Sequence, residues 1–452
     1  MDGLRSEVNQ FPVGPTPDVD PTAYAGSLQM TGPASTISMG GGSIIATELS
    51  NPSVLQSLDE IEPSAEFEQD AALLQDPAFQ LPESTGDVDS EDTISISTST
   101  CAKSLPDPEL GSSLLAEFLV DFNTVSPLYR PHAIAEHIRI CYEGLSDGTA
   151  VSWASTYVVL GIAHRCRAMS NVATPMDNEL ADYYLSKILP TVSGLLIAPP
   201  SLGLVQSLLG LTALIRTSSQ LTPHSGFITS ALRISQFLAY QNTPGRGSDS
   251  SQDDVEQAHR VFWLAFIMDT DEAIFSNAPT TQRREDITAP FPEENPHDSL
   301  GSMTAAESNW KVNVFALRAR LALIQAEAID QLLSINRRPS TPQQIASTAQ
   351  AFLARLEAWR DNNLFRLKPV ELMQLLYRSD LLHVLTVEAS YFATVFRIHA
   401  FLALNQNPLA NPFAAEILAR LATRTEQRAF KDAERLLALL ALTPHGDIGV
   451  CW

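Results

Sequence analysis

From Val151 to Met169, apolar side chains return every three or four residues, at Val151, Ala154, Val158, Ile162, Cys166 and Met169. That period places them on one face and predicts an amphipathic helix. His164, Arg165 and Arg167 gather at its C-terminal end, where the helix dipole favours cations. The same period predicts helices over Asn178 to Leu196 and over Leu202 to Arg216, with Pro199-Pro200 ending one and starting the next. Thr222-Pro223 opens a further helix to Tyr240, and the breaker cluster Asn242-Thr243-Pro244-Gly245 closes it. Ser251-Gln252-Asp253-Asp254 has capping-box spacing, with carboxylates in the first turn. Helical periodicity continues over 302–335, 341–361, 369–405 and 411–443, with no turn-bounded run of period-two alternation in between. The expected fold class is all-α, a large multi-helix domain over residues 112–445.

Upstream of Leu114 this pattern gives way to another. Residues 1–110 carry 19 acidic and two basic residues, and 11 of the chain's 29 prolines. The rest of the chain holds 33 acidic and 27 basic residues, so most of the net charge of −23 sits in the first segment. Only Phe11, Tyr24, Phe67 and Phe79 supply aromatic surface there. Such a stretch has little to bury and repels itself, so 1–110 is expected to be disordered. Within it Leu55, Leu58, Ile61, Phe67, Leu73, Leu74 and Phe79 are interspersed with carboxylates. This is the composition of an acidic activation region, in which Phe67, Leu73, Leu74 and Phe79 would fold onto a partner groove; a solvated linker is the plainer alternative.

Charge and cysteine spacing exclude several classes. A balance of −23 with only Arg5 and Lys103 in the first 110 residues opposes direct grip on a duplex, because that grip comes from lysines and arginines that displace counterions. Cys101, Cys141, Cys166 and Cys451 lie 25 or more residues apart, which makes neither a disulfide scaffold nor a Cys-x-x-Cys zinc site. No metal or other cofactor is expected. The N-terminus shows no secretory signal, and the longest apolar stretch, Ser201 to Ile215, is too short to cross a bilayer. A soluble intracellular protein without membrane association is expected.

Catalytic patterns are sparse. Gly144-Leu145-Ser146-Asp147-Gly148 matches the G-x-S-x-G nucleophile elbow, yet helical periodicity flanks it where a strand is required. A helix–helix loop with a glycine cap accounts for it better. His132 and His137 are five apart, off the i,i+4 register that brings two imidazoles to one metal. Cys141 and Cys166 read as small core side chains.

One segment is specific. Gln257-Ala258-His259-Arg260-Val261-Phe262-Trp263-Leu264-Ala265-Phe266-Ile267-Met268-Asp269 is followed by Asn277-Ala278-Pro279, then Glu285-Asp286-Ile287 and Ala289-Pro290-Phe291-Pro292. Read by itself, this is a core helix with an i,i+4 pair, Glu256 and Arg260, and an aspartate in an apolar run. If buried, Asp269 must find a donor, and Arg283 or Arg284 is the expected partner. The segment resembles the middle homology region of fungal-specific transcription factors, which usually follows a zinc binuclear cluster. His259, Arg260, Phe262, Trp263, Asp269 and Pro279 carry the resemblance as structural positions, and residues from about 112 to 405 follow the family order. Asn277-Ala278-Pro279 stands where Gly-Arg-Pro is usual, and His259 where arginine is more usual.

The resemblance implies a regulator of transcription, located in the nucleus and not an enzyme. The six-cysteine zinc cluster is not in this chain, so DNA is expected to be reached only indirectly, through other transcription regulators and coactivators, or through a cluster lost upstream. A homodimer and a small-molecule effector are further expectations of the same kind. The competing class is an all-α enzyme or small-molecule-binding protein built around an apolar inter-helix cavity.

Overall fold

A computed structural model describes residues 105–170, 173–218, 223–241, 252–305, 310–334, 341–406 and 426–442. The acidic segment with Phe67, Leu73, Leu74 and Phe79 lies outside these residues, as do Cys101, Cys451 and the capping hydroxyl expected at Ser251. Helix dominates what is described. Helix α1, Pro108–Glu117, has proline in its first turn and runs directly into a π-helical turn, Phe118–Asn123. Proline fits there because its missing N–H would have no intrahelical partner anyway. Helix α2, Pro131–Tyr142, starts in the same way. It ends as expected at Gly144, whose φ of 72° is left-handed. The Leu145 amide reaches back to the Ile140 carbonyl at 3.0 Å, so Gly144-Leu145 forms a helix C-cap and Ser146 sits in a loop, away from any strand.

Helix α3, Ala150–Ala168, is capped by Thr149, whose hydroxyl accepts from the Ser152 amide. The sequence pattern suggested one apolar face, but every residue from Ser152 to Cys166 is buried. This helix is therefore the axis around which the first half is built, and the basic residues at its end are not displayed to solvent. His164 Nδ1 donates to Asp177 at 2.8 Å, Arg165 binds Asp182 and the Asn178 side-chain oxygen, and Arg167 binds Glu117. Burial holds His164 below its ordinary pKa, against the pull of Asp177. Around α3 pack α4, Asp177–Ile188, and α5, Val192–Ile197. These two were expected as one helix, and a 3-10 turn around Pro190 divides them because proline removes an i,i−4 hydrogen bond.

Helix α6, Leu202–Arg216, begins at the Ser201 cap and lies against α3 so closely that no side chain fits at Gly210. A Cβ there would stand 2.3 Å from Val158 Cγ1. Helices α7, Ser225–Gln241, and α8, Gln252–Ser276, complete this half.

A short antiparallel hairpin follows, β1 Ser302–Thr304 and β2 Lys311–Asn313, in the register Ser302 to Asn313. The continuous helix expected from residue 302 is thus replaced by a hairpin, and helix α9, Val314–Ala328, starts only where the Asn313 side chain caps the Ala316 amide. Strands of three residues are too short to show period-two alternation. Helix α10, Pro342–Arg360, carries a full capping box between Thr341 and Gln344. A short helix α11, Asn363–Arg366, follows, and the stretch expected as one helix over 369–405 is divided into α12 Pro369–Leu375 and α13 Arg378–Gln406. Of the last expected helix, α14, Glu426–Leu442, is described.

Two hydrophobic clusters result. The first gathers α1 to α8 with part of α9, and the second gathers α9 to α14. Helix α13 exceeds the longest apolar stretch expected from the sequence. Over Arg378–Ala403 its length and hydropathy alone would let it cross a membrane. It carries Glu388, 1% exposed and paired with Arg360 and Arg435, and it is the central helix of the second cluster.

Candidate functional site

The Phe-Trp segment occupies the middle of α8. Val261 to Asp271 is buried without interruption. Trp263 donates its indole N–H to the Pro290 carbonyl at 2.7 Å and meets the Phe291 ring edge-on at 5.3 Å. The Ala289-Pro290-Phe291 tail is thereby seated on the helix. Phe262 stacks in register with Phe266, their rings 6.4 Å apart. Arg260 binds Glu256 as expected and also takes Asp298 in a two-pronged pair at 2.6 and 3.1 Å. His259 is half-buried, and burial lowers its pKa against the opposing pull of Glu256.

Asp269 departs from expectation. It is 6% exposed, but neither Arg283 nor Arg284 reaches it; Arg284 pairs with Glu327 and Arg283 is exposed. Asp269 Oδ2 accepts instead from the Thr281 amide at 2.7 Å, with the Gln282 amide also directed at the carboxylate. Burial raises its pKa, and these amides pull it back down. The aspartate thus fastens the loop that follows α8. The buried aspartate that does find an arginine is Asp271, two residues on. It binds Arg318 of α9 at 3.1 Å and accepts from Ser390 of α13.

The loop itself explains the departure at 277–279. Asn277 has a φ of 61°, the left-handed conformation that glycine tolerates best and asparagine next. Arg397 of α13 covers the end of α8, donating to the Ala273 and Ile274 carbonyls at 2.6 Å each and to the Asn277 side chain. Asparagine therefore does the conformational task of the usual glycine, and Pro279 is exposed beyond it. Five of the six signature positions serve α8 or the loop packed on it, and none of the six lines a cavity described in the structure.

A cavity of about 490 Å³ opens between α2, α3, α6 and the first turns of α8. Its apolar wall includes Ile134, Ile140, Leu145, Val151 and Leu202, and its inner wall includes Tyr129 and Gln257. Three amide side chains hold the Pro127–Tyr129 backbone, and two of them, Gln206 and Gln257, line the cavity. Asn123 holds both the N–H and the carbonyl of Tyr129, at 2.8 Å each. Gln206 donates to the Leu128 carbonyl at 2.7 Å, and Gln257 donates to the Pro127 and Leu128 carbonyls at 3.0 and 2.9 Å. Because carbonyls can only accept, they orient the Gln257 amide, and its oxygen is left buried with no partner among the described residues. The Tyr129 hydroxyl lies beside the Ser155 and Ser207 hydroxyls but outside normal hydrogen-bonding geometry. Burial raises its pKa, so it stays a neutral phenol. Arg130 closes one side of the mouth by an ion pair to Asp254 at 2.7 Å.

His137, also in the wall, faces the Ser152 carbonyl through Nε2 at 3.0 Å, which requires a proton on that nitrogen. Cys141 lies behind it, buried and 3.8 Å from the same nitrogen. Burial works against the imidazolium, yet the Cys141 and Ser152 bonds leave the His137 pKa above its ordinary value. Tyr129 and Gln257 were not expected as site residues. The signal available for Gln257 was an amide on the apolar side of a core helix, where a polar group needs partners from elsewhere in the chain. No group of three or more histidine, cysteine, aspartate or glutamate side chains is arranged to hold a metal among the described residues.

Comparison with known proteins agrees with the helix signature. Two curated relatives, both described as an ABC-transporter-regulating transcription factor, come from Aspergillus oryzae and Aspergillus fumigatus. They are 28% and 27% identical to this chain over 373 residues, which is 77% of the chain. The chain spans 40% of the length of each of these relatives. No solved structure matches it. The family model that matches takes in α4 to α10, with the whole of the Phe-Trp helix near its centre. Residues 170–361 of this chain match the model of the fungal specific transcription factor domain.

Proposed function

We propose that this chain is a regulator of transcription that acts in the nucleus, without chemistry of its own, and that genes for ABC transporters are among those it controls. The observation that carries the reading is the helix Gln252–Ser276, with its docked Pro290-Phe291 tail, inside a fungal specific transcription factor domain. The target class follows the names of the two relatives, which align over most of this chain. Residues 1–110 are the activation region, with Phe67, Leu73, Leu74 and Phe79 contacting a coactivator. The helical body, 112–445, docks other regulators. A net charge of −23 opposes duplex binding by this chain's own surface, so the DNA contact comes from a partner or from a zinc cluster joined to it.

The test is a fusion of residues 1–452 to a foreign DNA-binding domain, read on a reporter, beside transporter transcripts in a strain lacking the gene. The fusion is expected to activate, replacement of Phe67, Leu73, Leu74 and Phe79 by alanine to weaken it several-fold, and the transcripts to fall. A silent fusion together with unchanged transporter transcripts overturns the reading.

A further inference from the structure

Helix α12 takes no part in the Phe-Trp site, yet the chain there presents apolar side chains on two sides. Leu372 and Leu376 lie inside the second cluster, 0% and 7% exposed. Val370, Met373 and Tyr377 stand outside it, 54%, 47% and 61% exposed. Val370 and Met373 are one turn apart on the same face of Pro369–Leu375, and Tyr377 follows where the chain passes into α13. Single exposed apolar side chains are ordinary on a surface, whereas three in so short a run concentrate apolar area as interaction sites do. A helix of seven residues is not stable by itself. Here Leu372 anchors it in the core, and the Glu371 carboxylate accepts from the Lys368 amide at 2.7 Å. The face is therefore held in place before any partner arrives. Its two ends are basic. Lys368 and Arg378 are exposed, and neither joins an ion pair among the described residues, whereas nearby Arg366 is taken by Asp361 at 2.7 Å. On a chain of net charge −23, two unpaired cations bracketing an apolar face favour an acidic partner over a basic one.

We propose that Val370, Met373 and Tyr377 form a docking face for an acidic amphipathic helix of a partner protein, whose apolar side lies on these three side chains and whose carboxylates meet Lys368 and Arg378. One amphipathic helix laid on another removes the apolar stripes of both from water. Tyrosine and methionine suit such a contact, the first as a large amphipathic ring and the second as a side chain that adapts its shape. The assignment deepens the reading that the helical body docks other regulators, giving the place and the chemistry of the partner. It is tested by binding alone, so it can fail while the reporter fusion activates, and it can hold while the fusion is silent.

The probe is a fluorescein-labelled peptide of about 16 residues, with leucine and phenylalanine at helical spacing on one face and glutamate elsewhere. A scrambled peptide of the same composition is the control. The rest of this acidic chain repels such a probe, which keeps non-specific attachment low. Titration of the full chain, read by fluorescence anisotropy, is expected to saturate on the order of micromolar, as small transient contacts do, with the scrambled peptide at least about tenfold weaker. Met373→Glu places a like charge in the face and is expected to weaken the probe at least about tenfold, and Lys368→Glu combined with Arg378→Glu by about as much. All three positions are exposed, so the circular dichroism spectrum and the denaturant midpoint should not change. Leu145→Glu, at a leucine 69% exposed on the Gly144 loop, should bind the probe as the parent does. Absence of saturable binding, equal affinity for the scrambled peptide, parent-like binding by Met373→Glu or by the charge-reversed variant, or an equal loss with Leu145→Glu overturns the assignment. Self-association seen by light scattering and abolished by Met373→Glu, without peptide binding, also overturns it and gives the face to a second copy of this chain.

Discussion

The two halves of the helical body solve the same packing problem with different chemistry. In the first cluster the central helix α3 is buried all round, and its contacts with α6 are close ones between small and branched side chains. Gly210 faces Val158, and Gly161 faces Leu214, where a Cβ would approach Leu214 Cδ2 to 2.8 Å. Polar atoms at that contact are hydroxyls satisfied locally, such as Ser155 with Ser207 at 2.9 Å. The buried ionisable groups of α3, His164 and Arg165, sit at its C-terminal end against α4, whereas in the second cluster the central helix α13 carries charge into the interior of its own contacts. Glu388 binds Arg360 at 3.3 Å and Arg435 at 2.6 Å, and Arg360 reaches on to Asp432 at 3.1 Å. The Arg360 guanidinium also lies over the Tyr391 ring, 4.6 Å from its centroid. Close packing tolerates no added volume, whereas an ion network tolerates no removed partner. The same buried area is thus vulnerable to opposite kinds of substitution.

The largest expected effect comes from removing a partner in the second half. Glu388→Ala strands Arg360 and Arg435, and should cost about 3–5 kcal/mol in denaturant unfolding. A loss below about 1 kcal/mol would mean that the ions are spectators and the two halves are alike. Adding volume to the first half ranks next. Gly210→Val drives a branched side chain into Val158 and should cost about 2 kcal/mol, seen as a lower midpoint at unchanged denaturant slope. If that variant is as stable as the parent, α3 and α6 separate without penalty and the close-packed description fails.

The smallest effect concerns the seam, where the π turn of the first half meets the start of α13. Ser379 donates to Asp121 at 2.8 Å, and His383 donates to the Asp121 backbone carbonyl at 2.9 Å. Burial, helped by the Asp121 charge, raises Asp380 to about 7. Burial lowers His383 to about 4, with the Arg318 charge acting in the same direction. A carboxyl whose folded pKa lies above its ordinary 3.8 holds its proton more tightly when folded. Its stabilising contribution is complete below the ordinary value and is lost as pH rises through about 7. Asp380→Asn should therefore stabilise the protein by about 1 kcal/mol at pH 8, less than the whole shift implies because first-turn amides of α13 favour the carboxylate. The gain should vanish towards pH 4. His383 is common to both proteins and cancels in the difference. A gain that does not change with pH would remove Asp380 ionisation as its cause.

Much of the helical plan was legible because its signals are local. The Gly144 cap, the breaker at Pro199-Pro200 and the period through Leu202 to Arg216 each depend on a few neighbouring residues. The Phe-Trp helix was legible for the same reason, as a contiguous run. The hairpin at Ser302–Asn313 escaped because its strands carry three residues each, and the division of α4 from α5 escaped because the apolar period continues across Pro190.

By itself the sequence determined that this chain is helical from about Leu114, that an acidic, proline-rich stretch precedes the helices, and that the Phe-Trp run of α8 resembles a fungal-specific transcription factor segment. Tertiary structure alone decided that α3 is buried all round and that Asp269 fastens a loop while Asp271 takes the arginine. It alone brought Gln257 to the carbonyls of Pro127 and Leu128, about 130 positions away. The reason is range. Caps and periodicity follow from backbone geometry within a turn or two, whereas the partner of a buried amide or carboxylate is whichever distant group the packing delivers, and Asp271 and Arg318 stand 47 positions apart.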